Sequence, residues 1–428
     1  MREKKEFLLY VIPSVLAFAL SGVYAIVDGF FVGNSIGDAG LAAINVAYPV
    51  TALLQALGTG IGMGGAVQYS IHAGEDKREE QRAYISWTLL LLAVSSLAAV
   101  LLLFPSVSAI LSAFGANGQL LEMGKEYLRV IILGAVFQIF GTGLVPLIRN
   151  MGGSVFAMCA MIAGFLTNIL LDYLFVWVFG YGLGGAAAAT IIGQTVTVAA
   201  CVVFVLKKGP GLSLKSGIKP GRLSGNIMKV AVSPFGLTFS PNIVLILMNK
   251  FSMIYGGEGA VACYAVIAYI STIVLLLLQG VGDGSQPLVS RYYGRGRAES
   301  VRSVGRMAYI SAFLLAAACI AGLYAARNLI APVFGASAEV SKMSAEVLPF
   351  FLAGFMFIAY LRITTACCYA TEKNVRAFIL IYGEPAMLLA ALLLLPEFMG
   401  LEGVWAAVPV SQFLTAACGV IIQRLPAS

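Results

Sequence analysis

Charge is scarce in this sequence. Only 11% of its 428 residues are Asp, Glu, Lys or Arg, against 60% hydrophobic residues. A soluble fold cannot cover itself with so few polar side chains, because its surface grows faster than its apolar interior can absorb. Histidine occurs once, as His72, which excludes a histidine metal cluster and a one-chain catalytic triad. There is no HExxH, no GxSxG and no phosphate-cradling Gly-Lys-Ser/Thr loop, so hydrolase and ATP-driven pump chemistry lack their usual carriers. Seven cysteines are present, at 159, 201, 263, 319, 367, 368 and 418. They fall inside apolar blocks without metal spacing, as small core residues do, and not as a disulfide framework does.

What the sequence has in quantity is long apolar runs. Twelve reach spanning length, at roughly 7–32, 42–71, 83–112, 126–148, 154–179, 185–206, 231–255, 260–291, 307–331, 346–370, 377–396 and 403–423. The first run is too long for the apolar core of a signal peptide. Of the 27 lysines and arginines, 21 lie on alternate inter-span segments and six elsewhere. Positive charge marks the cytoplasmic face. Both termini are therefore expected inside, and the +7 net charge reads as topology and not as a nucleic-acid surface.

An internal repeat runs through the chain at an offset of 220 residues. Gly60, Gly62, Gly64, Ser70, Gly74, Glu79 and Arg82 meet Gly280, Gly282, Gly284, Ser290, Gly294, Glu299 and Arg302. Ile110, Phe114, Gly115 and Ala116 meet Ile330, Phe334, Gly335 and Ala336; Glu126, Leu128, Gly134 and Phe137 meet Glu346, Leu348, Gly354 and Phe357. At an offset of 218, Gly182, Leu183, Gly185, Gln194 and Thr197 meet Gly400, Leu401, Gly403, Gln412 and Thr415. The expected fold is an all-α membrane protein of twelve transmembrane helices. They form two six-helix lobes, 1–206 and 230–428, joined by a basic cytoplasmic linker at 207–229. Two halves that start on the same side are parallel repeats, related by a pseudo-twofold axis along the membrane normal, an arrangement suited to alternating access.

Ionisable residues inside spans are costly and point to function. Asp172 follows Asn168 by four residues, which stacks both side chains on one helix face. Thr190 in the next span adds a hydroxyl, and Asp28 adds a second carboxylate in a first span that contains Pro13, expected to kink it. This oxygen-rich set suits either a proton shared between carboxylates or a dehydrated sodium ion. In the second half, Arg362 and Glu384 lie on successive spans as an ion pair, structural or functional. Asp283 sits among glycines 280, 282 and 284 and is expected to reach the cytoplasmic interface. Tyr24, Met248, Tyr269, Gln279, Asp283, Arg362 and Glu384 are the candidates for a substrate cavity.

The sequence resembles the multidrug and toxic compound extrusion (MATE) transporters, closest to their bacterial drug-efflux branch. The residues that carry the resemblance are Pro13 with the run Val27-Asp28-Gly29-Phe30-Phe31-Val32-Gly33, the segment Gly60 to Gly74, and Asn168-Ile169-Leu170-Leu171-Asp172. Gly182, Gly185 and Ala187-Ala188-Ala189-Thr190 follow, as do Gln286-Pro287 and Tyr292-Tyr293-Gly294. The resemblance implies export of cationic amphipathic small molecules against inward H+ or Na+, from the bacterial cytoplasmic membrane, by a monomer without an organic cofactor. It implies a cation site at Asp28, Asn168, Asp172 and Thr190 and a bend at Pro13. One departure stands out: a sodium-coupled branch also has carboxylates inside spans 7 and 10, whereas here span 7 has none and span 10 has Glu346 at its outer edge with Arg362 deeper. The rival readings are a flippase for a lipid-linked precursor, which needs a cationic cavity, and an intramembrane enzyme or receptor.

Overall fold

A computed structural model describes residues 2–333 and 337–424, and these are helical almost throughout, with no strand among them. The first half comprises α1 (Arg2–Ser35), α2 (Asp38–Gly74), α3 (Arg78–Leu103), the short α4 (Val107–Ala113), α5 (Gly118–Leu133), α6 (Ala135–Asn150), α7 (Ser154–Asp172) with a π-helical turn at Tyr173–Val178, and α8 (Gly182–Lys208). The second half comprises α9 (Pro220–Gly294), α10 (Ala298–Val333), α11 (Ala338–Ala370), α12 (Asn374–Met399) and α13 (Leu401–Arg424).

Among the described residues ten helices are long and apolar enough to cross a bilayer, and the bent pair α5–α6 makes one more. The 75 residues of α9 would extend about 110 Å as one rod, several times the ~30 Å hydrocarbon layer. They are two spans, divided where Gly257 leaves helical geometry at φ 65°, ψ −160°. Counted so, the spans number twelve. Two differ from expectation. The third stops at Leu103, because Pro105 follows and the chain turns before α4. The fourth is not straight but bends by 57° between α5 and α6, at Gly134. Pro13 lies inside an uninterrupted α1.

The repeat is written into the backbone. Positive φ recurs at Gly37 and Gly257, at Asp76 and Gly296, at Gly152 and Glu372, and at Gly180 and Gly400, always 220 residues apart. The slip to 218 therefore falls in the turn Tyr181–Gly182. The repeat partners Phe334, Gly335 and Ala336 lie outside the described residues. Gly37, at φ 83° and ψ −167°, shares with Gly257 a region open essentially to glycine alone. Gly257→Ala is expected to cost about 1–3 kcal/mol, measurable as a lowered thermal midpoint of the purified protein.

The chain divides into two compact units. One gathers Ala19–Phe239 with Ser290–Arg297, around a core that includes Leu54, Leu92, Leu128, Ile131, Ile132 and Ile139. The linker is fastened within it: Arg82 Nε donates to Pro210 O at 2.6 Å and Ser213 N–H donates to Ser86 Oγ at 2.8 Å. The other gathers α1 up to Phe18, Ser240–Val289 and the helices from α10 onward. Each unit thus takes the opening stretch of the other half's first helix. Glycine is the physical reason. In the first unit a Cβ on Gly60 or Gly64 would collide with the backbone at Ala231 and Ile227. In the second, their repeat mates Gly280 and Gly284 lie equally close to Val15 and Val11. Backbone contact of this kind is how membrane helices gain packing without a hydrophobic driving force.

All seven cysteines are unpaired. Cys201, Cys263 and Cys368 are buried as expected, but Cys159 is exposed.

Candidate functional site

Asp28, Asn168, Asp172 and Thr190 come together in the first unit. α7 carries Asn168 and Asp172 one turn apart, α8 carries Thr190, and α1 brings Asp28. With its amide oriented to suit its neighbours, Asn168 donates to Asp172 Oδ2 at 3.0 Å and accepts from the Thr190 backbone N–H at 3.0 Å. The carboxyl groups of Asp28 and Asp172 are immediate neighbours. Asp172 is wholly buried and Asn168 nearly so. The remaining oxygens, Asp28 Oδ1 and Asp172 Oδ1, are buried without a hydrogen-bond partner among the described residues. Two carboxylates this close repel when both are ionised, and a shared proton is what would relieve that repulsion.

Three neighbours complete the surroundings: Tyr24, expected in a substrate cavity, and two that were not singled out from the sequence, Tyr127 and a π-helical turn. Tyr24 hydrogen-bonds the Thr190 side chain and stacks on Phe165 with centroids 5.0 Å apart. Tyr24 thus borders the carboxylate pair. Tyr127 on α5 also lies near both carboxylates and beside Thr51 on α2. The π-helical turn begins at Tyr173, directly after Asp172; such turns recur at functional sites because they re-aim the side chains around them. Asn168→Ala should leave an acceptor on Asp172 unsatisfied. That should cost about 1–3 kcal/mol, read by thermal unfolding in detergent.

The other candidates lie in the second unit. Met248 is fully buried, whereas Tyr269 is half-exposed and Gln279 partly buried. Asp283 is buried, not solvated at an interface as expected, and accepts from the Tyr369 hydroxyl at 3.3 Å. Arg362 is buried with Glu384 and Asp283 as its neighbouring opposite charges, and Glu384 neighbours Gln412.

Twelve spans built as a repeated set of six, with a carboxylate pair held inside one half, define a polytopic membrane protein of the two-lobed transporter class. The MatE family model matches residues 13–174 and 236–383, and the chain belongs to that family. It is accordingly a membrane transporter and not an enzyme. Its curated relatives include the multidrug export protein MepA of Staphylococcus aureus (strain NCTC 8325 / PS 47), 22% identical over 425 residues that cover 98% of this chain and 93% of the relative. Among solved structures, an outward-facing multidrug resistance MATE family transporter of the MOP superfamily matches with a TM-score of 0.93 at 22% identity, covering 99% of this chain and 95% of that one. A MOP superfamily transporter from Pyrococcus furiosus matches with the same TM-score, identity and coverage. These likenesses establish the twelve-helix, two-lobed fold.

Proposed function

We propose that this chain is a multidrug exporter of the bacterial cytoplasmic membrane, working as a monomer with both termini inside. It moves cationic amphipathic molecules outward in exchange for an inward cation by alternating access. Its two lobes are 1–206 and 230–428, joined by the linker 207–229. The observation that carries it is the pairing of the Asp28 and Asp172 carboxyls in one buried site, supported by Asn168 and bordered by Tyr24 and Thr190. Two carboxyls in one buried site resist both being charged, which supports H+ as the coupling ion. Sodium would need about five or six oxygens around it, and two of the cluster's six side-chain oxygens are engaged elsewhere: Asn168 Oδ1 accepts from the Thr190 N–H and Thr190 Oγ1 donates to Ala186 O.

In this reading the proton enters from outside and neutralises the pair. α1 then changes its packing near Pro13, and the bound cation leaves outward. On return the pair gives its proton to the cytoplasm. Such a device needs no organic cofactor. The relatives named for multidrug export support the substrate class. Reconstitution with separately imposed pH and sodium gradients tests the reading: export of a cationic dye should follow the pH gradient. Export that follows the sodium gradient alone would replace the proton by Na+, and export under neither would refute coupling.

A further inference from the structure

The repeat lets each position of the first-half site be found again in the second half. Asp28, Asn168 and Asp172 correspond to Met248, Leu388 and Leu392 at offset 220, and Thr190 to Val408 at 218. All four counterparts are buried. Where one half holds an oxygen-rich cluster, its mate is closed with thioether and hydrocarbon.

The second half keeps its buried charge elsewhere. Asp283 on α9, Arg362 on α11 and Glu384 on α12 replace Met63, Thr142 and Gly164 of the first half, so none of the three has a charged counterpart. They gather in one region: a Cβ on Gly282, next to Asp283, would lie 3.5 Å from the Arg362 carbonyl oxygen, Glu384 and Asp283 are the opposite charges acting on Arg362, the Tyr369 hydroxyl donates to Asp283, and Gln412 on α13 neighbours Glu384. The backbone is shaped to this group, since a Cβ on Gly354 of α11 would overlap Gln412 Oε1. That oxygen is itself buried and without a partner among the described residues.

Buried carboxylates in a membrane span require a positive charge nearby. A guanidinium supplies one that neither dissociates from the chain nor loses its proton. We propose that Arg362 is a tethered counter-cation, standing in the second half where a free coupling ion stands in the first, so that the protein runs on one cation site per cycle. The inference rests on the first-half pair being the coupling site. It makes the second half electrically constant through the cycle, while Asp28 and Asp172 alone load and unload. The two acids outnumber Arg362, and removing it takes away the guanidinium that acts on both.

The test uses the purified full-length protein and a melting temperature, so it does not depend on export. Arg362→Ala should melt about 2–4 °C higher in sodium or guanidinium than in choline at equal ionic strength, while the wild type should melt alike in all three. Adding Asp283→Asn and Glu384→Gln to Arg362→Ala should remove that dependence and recover stability. Arg362→Ala that responds no more than wild type to the small cations overturns the proposal. So does a triple variant no more stable than the single one. If Arg362→Ala fails to fold in choline, the triple variant decides: its recovery supports the tethered cation, and its failure refutes it. Failure of the export experiment would count against the first-half coupling site instead.

Discussion

Asp28→Asn and Asp172→Asn should each abolish gradient-driven export while leaving the folded protein intact. The amide is nearly isosteric with the carboxyl and sits uncharged beside its partner across the α1–α7 contact, as the protonated acid does. What it cannot do is ionise. A pair locked in its neutral state presents one conformation to the gradient, and a cycle that depends on loading and unloading stops. Each elementary charge moved across 100 mV is worth about 2.3 kcal/mol, roughly a fiftyfold concentration ratio, and that drive should be lost entirely. The measurement is export of a cationic dye from liposomes under an imposed pH or sodium gradient, with the melting temperature as a check on folding. A wild-type export rate in Asp28→Asn would make the pair a structural tie between helices.

Gly62→Leu should remove the folded protein altogether. α2 crosses α6 with almost nothing between the two backbones: a Cβ at Gly62 would overlap the Gly143 carbonyl, and one at Gly58 the Ile139 carbonyl. Neither oxygen can retreat as a flexible side chain could. A leucine must push the two helices apart and open the core around Leu92 and Ile139, both fully buried. Overpacking of ordinary cores costs about 1–3 kcal/mol, and a backbone-to-backbone contact has less room to relax. The expected result is loss of the monodisperse peak in size-exclusion chromatography after detergent extraction. Gly322→Leu on α10, where a Cβ meets nothing within 4 Å, should behave as wild type. Equal behaviour of the two variants would mean that the α2–α6 crossing does not hold the fold.

Hydropathy located the twelve spans because lipid imposes its test on each stretch of about 20 residues separately. It missed the break before α4 and the 57° bend at Gly134, since neither changes how apolar the segment is. The repeat was legible for a related reason. Glycines at tight crossings and turns cannot be replaced without cost, so they keep their register, and the matching positive-φ positions follow from it. The cost of a carboxylate in lipid singled out Asp28 and Asp172, and helical spacing added Asn168.

The chain by itself therefore determined the fold class, the internal repeat and which buried groups demand a partner, because these depend on one residue or on neighbours along one helix. Only the tertiary structure decided which partner each group received. A tyrosine on a membrane helix gives no signal of its destination, so the placing of Tyr24 against Thr190, and of Tyr127 beside the carboxylates, could not be read in advance. Asp283 read as an interface residue until α9, α11 and α12 were seen to bring it to Arg362 and Glu384. These meetings join residues far apart in sequence, and they are set by which glycine-lined faces let two helices approach.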